Sequence, residues 1–201
     1  MCQRFTPFTI PEAQITLDQL LGKGCAHINA EPSAEDAYPG SSVPLFLPTA
    51  SGTLQIQVAH WGFQLDDTRK YYFNTRLDTA LNQYQSGKGL WATAIKSGRC
   101  LVPTRAFYER HATDIIYSDK TGKPIHRPYR ITMEGYSAFL MAGIYQEGRF
   151  SLITTDPNTF MAPIHNRMPL ILGQGESNKW LRGQFDKLAD KSHIELMAKP
   201  C

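Results

Sequence analysis

The sequence lacks the features that mark membrane-spanning and secreted proteins. Across its 201 residues no run approaches the ~18 consecutive apolar residues of a transmembrane helix. The N-terminal segment has neither the basic start nor the apolar centre of a signal peptide. We therefore expect a cytoplasmic protein with no membrane partner.

Cysteine is sparse, and its spacing is not that of a metal site or a disulfide framework. The cysteines are Cys2, Cys25, Cys100 and Cys201, and no two of them form a CxxC pair. A reducing compartment keeps such thiols free. We expect no disulfide, no metal and no organic cofactor.

Strong net charge is also missing. The chain has 21 basic and 18 acidic residues, a formal net charge of +3, which is compatible with a nucleic-acid partner but too small to predict one. There is no internal repeat and no low-complexity tail. With 42% hydrophobic residues the chain fits one well-packed domain over residues 1–201. A monomer is the default expectation.

Hydrophobic periodicity predicts a sheet-rich fold with a few helices. The predicted strands are 52–60, 129–133, 137–145 and 150–155, and the predicted helices are 11–21, 79–84, 89–97 and 176–188. Proline, glycine and polar residues predict a long ordered loop over 30–48 and a polar turn region over 118–128. The strand spacing indicates an antiparallel or mixed sheet.

Among the features that are present, Cys2 has the most distinctive chemistry. Removal of Met1 leaves an α-amine, with a pKa near ~7.7–8.0, and a thiol, with a pKa near ~8.5, on one residue. The amine can condense with an aldehyde, after which the thiol closes a thiazolidine ring in an intramolecular step. The alternative is an accidental cysteine in a frayed chain end.

Asn74 and Arg76 lie two residues apart in an extended segment, so they share one face of a strand. An amide beside a guanidinium suits phosphate or sugar oxygens. The alternative is a structural strand end with an exposed arginine.

Glu109 follows Phe107 and Tyr108 near the end of segment 99–110, which we predict to contain an apolar entry and then a turn. A carboxyl group desolvated by aromatic neighbours has a raised pKa and can move protons. A salt bridge to a nearby arginine is the alternative.

His165 lies between the loop that follows Thr154 and an apolar run. Histidine gains and loses a proton near neutral pH, so His165 is a candidate acid or base. Taken singly, a histidine in this setting is more often structural than catalytic.

Together these segments resemble the SRAP family, the SOS-response-associated peptidases, in residue type and in order. The matching segments are Met1-Cys2-Gln3-Arg4, Trp61-Gly62-Phe63, Asn74-Thr75-Arg76-Leu77-Asp78, residues 99–110 and Ile164-His165-Asn166-Arg167-Met168-Pro169. The resemblance therefore spans nearly the whole chain.

The resemblance implies an α+β fold, with a β-rich mixed or antiparallel sheet or barrel-like core and peripheral helices. It implies a covalent sensor of abasic sites in single-stranded DNA, whose N-terminal cysteine is exposed by removal of Met1. It also implies a lyase side activity and association with the nucleoid after DNA damage. The implied roles are a nucleophile (Cys2), an orienting amide (Asn74), an acid/base (Glu109), an assistant in ring opening and imine chemistry (His165) and DNA-binding residues (Arg4, Arg76, Thr154 and Arg167).

The sequence departs from the family pattern close to these motifs. The family pattern has glycine at the positions of Gln3 and Ala106, tryptophan at the position of Arg110 and glutamate at the position of Asp78. Residues 64–67, which include Asp66 and Asp67, lack the aromatic residues that relatives often carry there. Two further functions stay open: an N-terminal-cysteine hydrolase or peptidase, and a non-covalent binder of single-stranded DNA.

Overall fold

The computed structural model describes residues 2–20, 24–26, 35–64 and 71–201. Its strands are β1 (Phe5–Pro7), β2 (Cys25–Ala26), β3 (Ser42–Pro48), β4 (Leu54–Trp61), β5 (Phe63–Gln64), β6 (Tyr71–Tyr72), β7 (Asn74–Arg76), β8 (Arg99–Tyr117), β9 (Pro124–Met133), β10 (Ala138–Gln146), β11 (Arg149–Thr155), β12 (Met168–Pro169), β13 (Ile171–Leu172) and β14 (Leu196–Pro200). Its helices are α1 (Ile10–Leu20), α2 (Leu77–Ser86), α3 (Ala92–Ser97) and α4 (Glu176–Leu181).

Five strands close into a barrel. β10 pairs with β11, β11 with β4, β4 with β3, β3 with β8, and β8 pairs back onto β10. The β11–β4 pair is parallel and the other pairs of this ring are antiparallel. The α+β class, with a mixed, barrel-like sheet and helices at its periphery, is therefore confirmed.

The apolar side chains form two cores, one on each face of the barrel wall. Along β10, Phe139 and Met141 belong to the inner core, whereas Leu140 and Ala142 belong to the outer core with Trp180 of α4. Burial on both faces explains why this strand is almost continuously apolar. Burying each large apolar side chain contributes about 1.5–3 kcal/mol, so this wall is a rigid support for residues at its rim.

The four predicted strands correspond to β4, β9, β10 and β11, and the first three predicted helices correspond to α1, α2 and α3. The fourth predicted helix is shorter than expected: α4 ends at Leu181, and a separate 3₁₀ turn covers Phe185–Lys187. Gly183, at φ 75°, adopts a left-handed conformation that interrupts the helix. Trp180 and Leu188 are nevertheless fully buried, so the apolar residues of this predicted helix belong to the core.

The loop predicted over 30–48 is wrong for its second half, because residues 42–48 form β3. Two of the prolines that suggested a loop, Pro44 and Pro48, lie two residues on either side of Phe46, where β3 pairs with β8 opposite Leu101. Their missing N–H groups therefore face the side of β3 that has few ladder bonds. Residues 30–34 of the predicted loop lie outside the described residues.

The turn predicted within 99–110 is also wrong, because β8 is continuous from Arg99 to Tyr117. Thr104 and Arg105, which lie within this strand, are buried and have distant partners. The Thr104 hydroxyl donates to the Thr6 carbonyl at 2.8 Å, and Arg105 pairs with Glu12 at 2.7 Å. These polar residues are satisfied by contacts that no local pattern shows.

The polar turn predicted over 118–128 ends earlier than expected, because β9 already begins at Pro124. Leu21 at the end of the first predicted helix, and the Asp66-Asp67 departure, lie outside the described residues. Among the helices that are described, none is long and apolar enough to cross a bilayer.

Candidate active site

Cys2 lies inside the barrel rim, fully buried in the inner core. β1 begins three residues later and pairs with β8, with Phe5 opposite Phe107, and this pairing brings the chain end beside Glu109. The Cys2 thiol donates to the Arg4 carbonyl at 3.4 Å. Burial, followed by the nearby Glu109 carboxylate, raises the pKa of the thiol above its ordinary value, so Cys2 holds its proton in this arrangement.

Asn74 connects Cys2 to the barrel. It begins β7, which runs parallel to β11 with Asn74 opposite Leu152. Its side-chain amide donates to the Cys2 carbonyl at 2.7 Å. Its amide oxygen Oδ1 is buried and has no hydrogen-bond partner among the described residues. A substrate hydroxyl or an ammonium group at this point would satisfy that oxygen.

Glu109 is the buried carboxyl group of the site, with a side chain that is 4% exposed. Burial raises its pKa from 4.5 to about 7, because the charged form loses its hydration. This is the desolvated carboxyl group that the sequence suggested. A group with this pKa both donates and accepts protons at neutral pH.

His165 completes the group. His165 Nδ1 contacts two backbone groups of Arg167: its N–H, which donates at 3.0 Å, and its carbonyl oxygen, at 3.2 Å, which accepts only from a protonated Nδ1. These contacts hold the ring in place and leave both tautomers possible. His165 Nε2 lies 3.9 Å from Glu109 Oε2. Burial lowers the pKa of His165 from its ordinary value, which keeps the ring neutral at physiological pH.

A cleft of about 420 Å³ opens beside these residues. Its lining residues are Gln3, Arg4, Tyr38, Tyr108, Glu109, Arg110, Pro128 and His165. Two of the departures from the family pattern, Gln3 and Arg110, thus lie in the cleft wall itself. Arg110 Nη1 donates to the His126 carbonyl at 2.9 Å, so this cation is oriented but its charge is not neutralised by that contact.

Arg4 lies at the cleft with an aromatic ring beneath it and a carboxylate beside it. Its guanidinium carbon is 3.9 Å from the centre of the Tyr108 ring. Its Nη2 is 2.6 Å from Asp36 Oδ2, and the Thr6 hydroxyl donates to the other carboxylate oxygen at 2.6 Å. The guanidinium is therefore held in one orientation at the cleft wall.

Arg76 is exposed at the end of β7 and is paired with Asp78, with 2.6 Å between Arg76 Nη2 and Asp78 Oδ2. The pairing lowers the pKa of Asp78 to about 2, through a hydrogen bond from the guanidinium. Asp78, a departure from the family glutamate, thus performs a pairing role.

Arg167 and Thr154 are less accessible than a DNA-contacting role suggests. Thr154 is buried, and the Arg167 side chain is 10% exposed. Arg167 Nη2 donates to the Thr154 carbonyl at 2.8 Å, and Nη1 is 2.7 Å from Asp156, whose side chain is 86% exposed. In this arrangement the outermost group is the carboxylate, and Arg167 lies behind it.

The structure thus brings Cys2, Asn74, Glu109 and His165 together, with Arg4 at the same cleft. Sequence reasoning missed Asp36 and Asp156, the partners of two candidate arginines. Neither belongs to a motif, and no periodicity links Asp36 to Arg4 across 32 positions. Within the described ranges no three histidine, cysteine, aspartate or glutamate side chains gather as a metal site requires.

Comparison with known proteins agrees with this architecture. The chain belongs to the SOS response associated peptidase (SRAP) family, whose model matches residues 1–201. It is 28% identical to the abasic site processing protein YoqW of Bacillus subtilis (strain 168) over 212 residues, covering 100% of this chain and 87% of YoqW. It is 27% identical to the abasic site processing protein YoaM of the same organism, covering 90% of this chain and 79% of YoaM.

Solved structures share the fold. A phage-related protein of Bordetella bronchiseptica superposes with a TM-score of 0.70 at 20% identity, covering 100% of this chain and 94% of that protein. A protein of Bacteroides thetaiotaomicron gives a TM-score of 0.66 at 22% identity, covering 99% and 91%. At these identities the likeness concerns the fold.

Proposed function

We propose that this protein processes abasic sites in single-stranded DNA by capturing them covalently on the mature N-terminal Cys2. The observation that carries the proposal is the convergence of Cys2, Asn74, Glu109 and His165 from segments far apart in the chain, beside a cleft that Glu109 and His165 line. The names of the two relatives, both abasic site processing proteins, support the processing of abasic sites. We place the activity on a single domain of residues 1–201, acting as a cytoplasmic monomer that joins the nucleoid on damage.

The chemistry follows from the protonation states. The Cys2 amine attacks the C1′ aldehyde of the ring-opened sugar, and the resulting carbinolamine loses one water to give an imine. Glu109, with a pKa of about 7, donates the proton that this water needs. The thiol then adds to C1′, and its proton passes through the Glu109 carboxylate to the nitrogen. One water leaves in total, and nothing is oxidised or reduced.

Amine attack precedes thiol attack because the thiol is buried with a raised pKa. A neutral thiol is a poor nucleophile, so it reacts once the imine has been placed beside it and Glu109 can accept its proton. His165 Nε2, 3.9 Å from Glu109 Oε2, is placed to assist sugar ring opening or a lyase step. Arg4 and Arg76 would hold the phosphates that flank the abasic site. Arg167 and Thr154 would support this DNA-binding surface from behind.

Removal of Met1 is part of this proposal, because the Cys2 nitrogen is an amide until Met1 leaves. Hydrolysis of that bond consumes one water, and the neighbouring Glu109 is suited to deliver it. In a purified system free of aminopeptidase, wild-type chain should lose Met1 while Glu109→Ala chain retains it. Loss of Met1 from both chains at equal rates would contradict self-processing.

The decisive experiment is intact mass spectrometry before and after incubation with an abasic single-stranded oligonucleotide. We expect a Met-free protein that gains the oligonucleotide less one water, stable to heating. The Cys2→Ala protein should give no heat-stable adduct, and the same oligonucleotide without an abasic site is the matched control. A persistent adduct on Cys2→Ala protein, or none on Met-free wild-type protein, would overturn the proposal and favour the hydrolase or the non-covalent binder.

A further inference from the structure

A row of side chains crosses four neighbouring strands on the outside of the molecule. In the strand pairing, Tyr108 of β8 is opposite Arg130 of β9, and Arg130 is opposite Lys199 of β14. The Tyr108 N–H donates to the Arg4 carbonyl at 2.9 Å, which places Arg4 at the same level beside β1. Directly opposed residues project from the same face of a sheet, so these four side chains form one row.

The burial pattern shows which face carries the row. The neighbours along β8 and β9, Phe107, Glu109 and Ile131, are buried towards the barrel interior. Tyr108 and Arg130 alternate with them, are partly exposed, and therefore point outwards. Lys199 is exposed.

Most cations on this face lack the carboxylate partner that each of Arg4, Arg76 and Arg167 has. Arg4 is paired with Asp36, but Arg130 and Lys199 have no acidic partner among the residues that the structure describes. Arg110 lies two residues from Tyr108 on the same face, and its side chain donates to a carbonyl group. We call the row together with Arg110 the strip. It presents three cations without paired carboxylates, namely Arg110, Arg130 and Lys199.

The strip is continuous with the cleft. Arg4, Tyr108 and Arg110 belong both to the strip and to the cleft lining. With strands ~4.8 Å apart, three spacings from Arg4 to Lys199 span about 14 Å. Three cations along this path, with an aromatic ring beside them, form an arrangement that binds a single strand without reading its sequence.

We propose that this outer face, defined by Arg4, Tyr108, Arg110, Arg130 and Lys199, carries the single-stranded DNA as it leaves the cleft, with Arg130 and Lys199 contacting phosphates. The inference rests on the proposed function and adds to it a second binding region with two named phosphate contacts. Its occupant is a DNA strand because the exposed charge is positive and leads from the cleft that holds the lesion.

The test compares two double variants that remove the same charge from different faces. The Arg130→Gln/Lys199→Gln variant loses the two cations at the outer end of the strip. The control variant Lys88→Gln/Lys96→Gln loses two exposed lysines, one just after α2 and one in α3, and these helices pack on β11 and β10. Binding of a fluorescent single-stranded oligonucleotide without an abasic site is measured by anisotropy at several salt concentrations. Thermal unfolding shows that both variants are folded.

We expect Arg130→Gln/Lys199→Gln to reduce the slope of log Kobs against log[salt] by about 1.4, which is two phosphate contacts at ~0.7 each. The lysine control should keep the wild-type slope. Adduct formation on abasic DNA at concentrations below Kd should slow in proportion to the loss of affinity. Equal slopes for the two variants overturn the proposal.

The outcomes also separate this inference from the proposed function. If wild-type protein forms no adduct but its DNA binding depends on Arg130 and Lys199, the capture chemistry fails and the binding face stands. If adduct forms and the slopes do not differ, the face fails and the capture chemistry stands. A change in sedimentation of the Arg130→Gln/Lys199→Gln variant without a change in DNA binding would identify a contact between copies of the chain, and would also overturn the proposal.

Discussion

Glu109→Gln should stabilise the protein at alkaline pH while removing its chemistry. The Glu109 side chain is 4% exposed, and burial raises its pKa from 4.5 to about 7. Since a tenfold change in a proton equilibrium corresponds to about 1.36 kcal/mol, the difference between the two pKa values corresponds to about 3 kcal/mol. Glutamine has nearly the same shape and cannot ionise, so it avoids this cost.

The sign follows from where the proton is bound. Between pH 4.5 and about 7 the folded protein keeps the proton on Glu109, whereas the unfolded chain has lost it. The folded state therefore binds more protons, and the free energy of unfolding falls as the pH rises through this range. Above about pH 7 both states are ionised and the loss is complete. Below pH 4.5 Glu109 is protonated in both states, so this loss of stability is absent and the free energy of unfolding keeps its full value.

His165 acts in the opposite direction, because burial lowers its pKa. The folded ring loses its proton at a lower pH than the unfolded ring, so its contribution to stability rises as the pH approaches 6.5 from below. The two side chains also interact across 3.9 Å. Repeating the comparison of glutamate with glutamine in a His165→Gln background separates the contribution of Glu109.

The assay is urea unfolding of wild-type and Glu109→Gln protein at pH 4.5 and pH 8. The two proteins need the same N-terminus, because a charged amine near the carboxyl group would lower its pKa. We expect Glu109→Gln to gain about 3 kcal/mol over wild type between the two pH values, while Glu195→Gln, at an exposed position, gains nothing comparable. A wild-type-minus-variant difference that is equal at both pH values would refute desolvation of Glu109. The same variant should lose ~10²–10⁴-fold in the rate of adduct formation.

Three further substitutions test the surroundings of the site. Asn74→Ala, which removes the 2.7 Å hydrogen bond to the Cys2 carbonyl, should slow adduct formation at least ~10-fold in a gel assay while changing urea stability by about 1 kcal/mol, with the exposed Asn82→Ala as control. Arg105→Met leaves Glu12 buried without its 2.7 Å partner and should cost about 3–5 kcal/mol in urea unfolding; a loss below 1 kcal/mol would contradict the buried pair. Asp156→Asn removes an exposed carboxylate beside Arg167 and should tighten single-stranded DNA binding about two- to fivefold at low salt, with Asp186→Asn as control; weaker binding would show that Asp156 positions Arg167.

Local sequence patterns predicted the elements that are regular and failed where a distant contact decides the structure. Apolar strand-like runs located β4, β10 and β11 to within two residues at each end, and located the C-terminal half of β9. The turn predicted within residues 99–110 was wrong, because β8 is continuous through that segment and buries Thr104 and Arg105. Their partners, Thr6 and Glu12, are more than ninety positions away, so local patterns do not show that these residues can be buried.

The candidate site shows the same division. The four residues proposed for chemistry were found through their motifs, although no single motif predicts the closure of the barrel that brings them together. The sequence left desolvation of Glu109 and a salt bridge to an arginine as alternatives, and the burial of its side chain favours desolvation. The orientation of His165 was not predictable, because it depends on an N–H group two residues further along in a tight loop.

The charges around the site suggest an order of events in DNA binding. Each DNA-binding arginine that the family resemblance implies is paired with an aspartate: Arg4 with Asp36, Arg76 with Asp78 and Arg167 with Asp156. These pairs fix the guanidinium groups in position, but a phosphate must share or displace a carboxylate to reach them. In the described part of the chain Arg110, Arg130 and Lys199 of the outer face carry no such partner, so under the proposed function a DNA strand is attracted to that face before it engages the paired arginines. Arg4 belongs to both groups, and its ion pair with Asp36 is therefore the contact that a strand moving from the outer face into the cleft meets first.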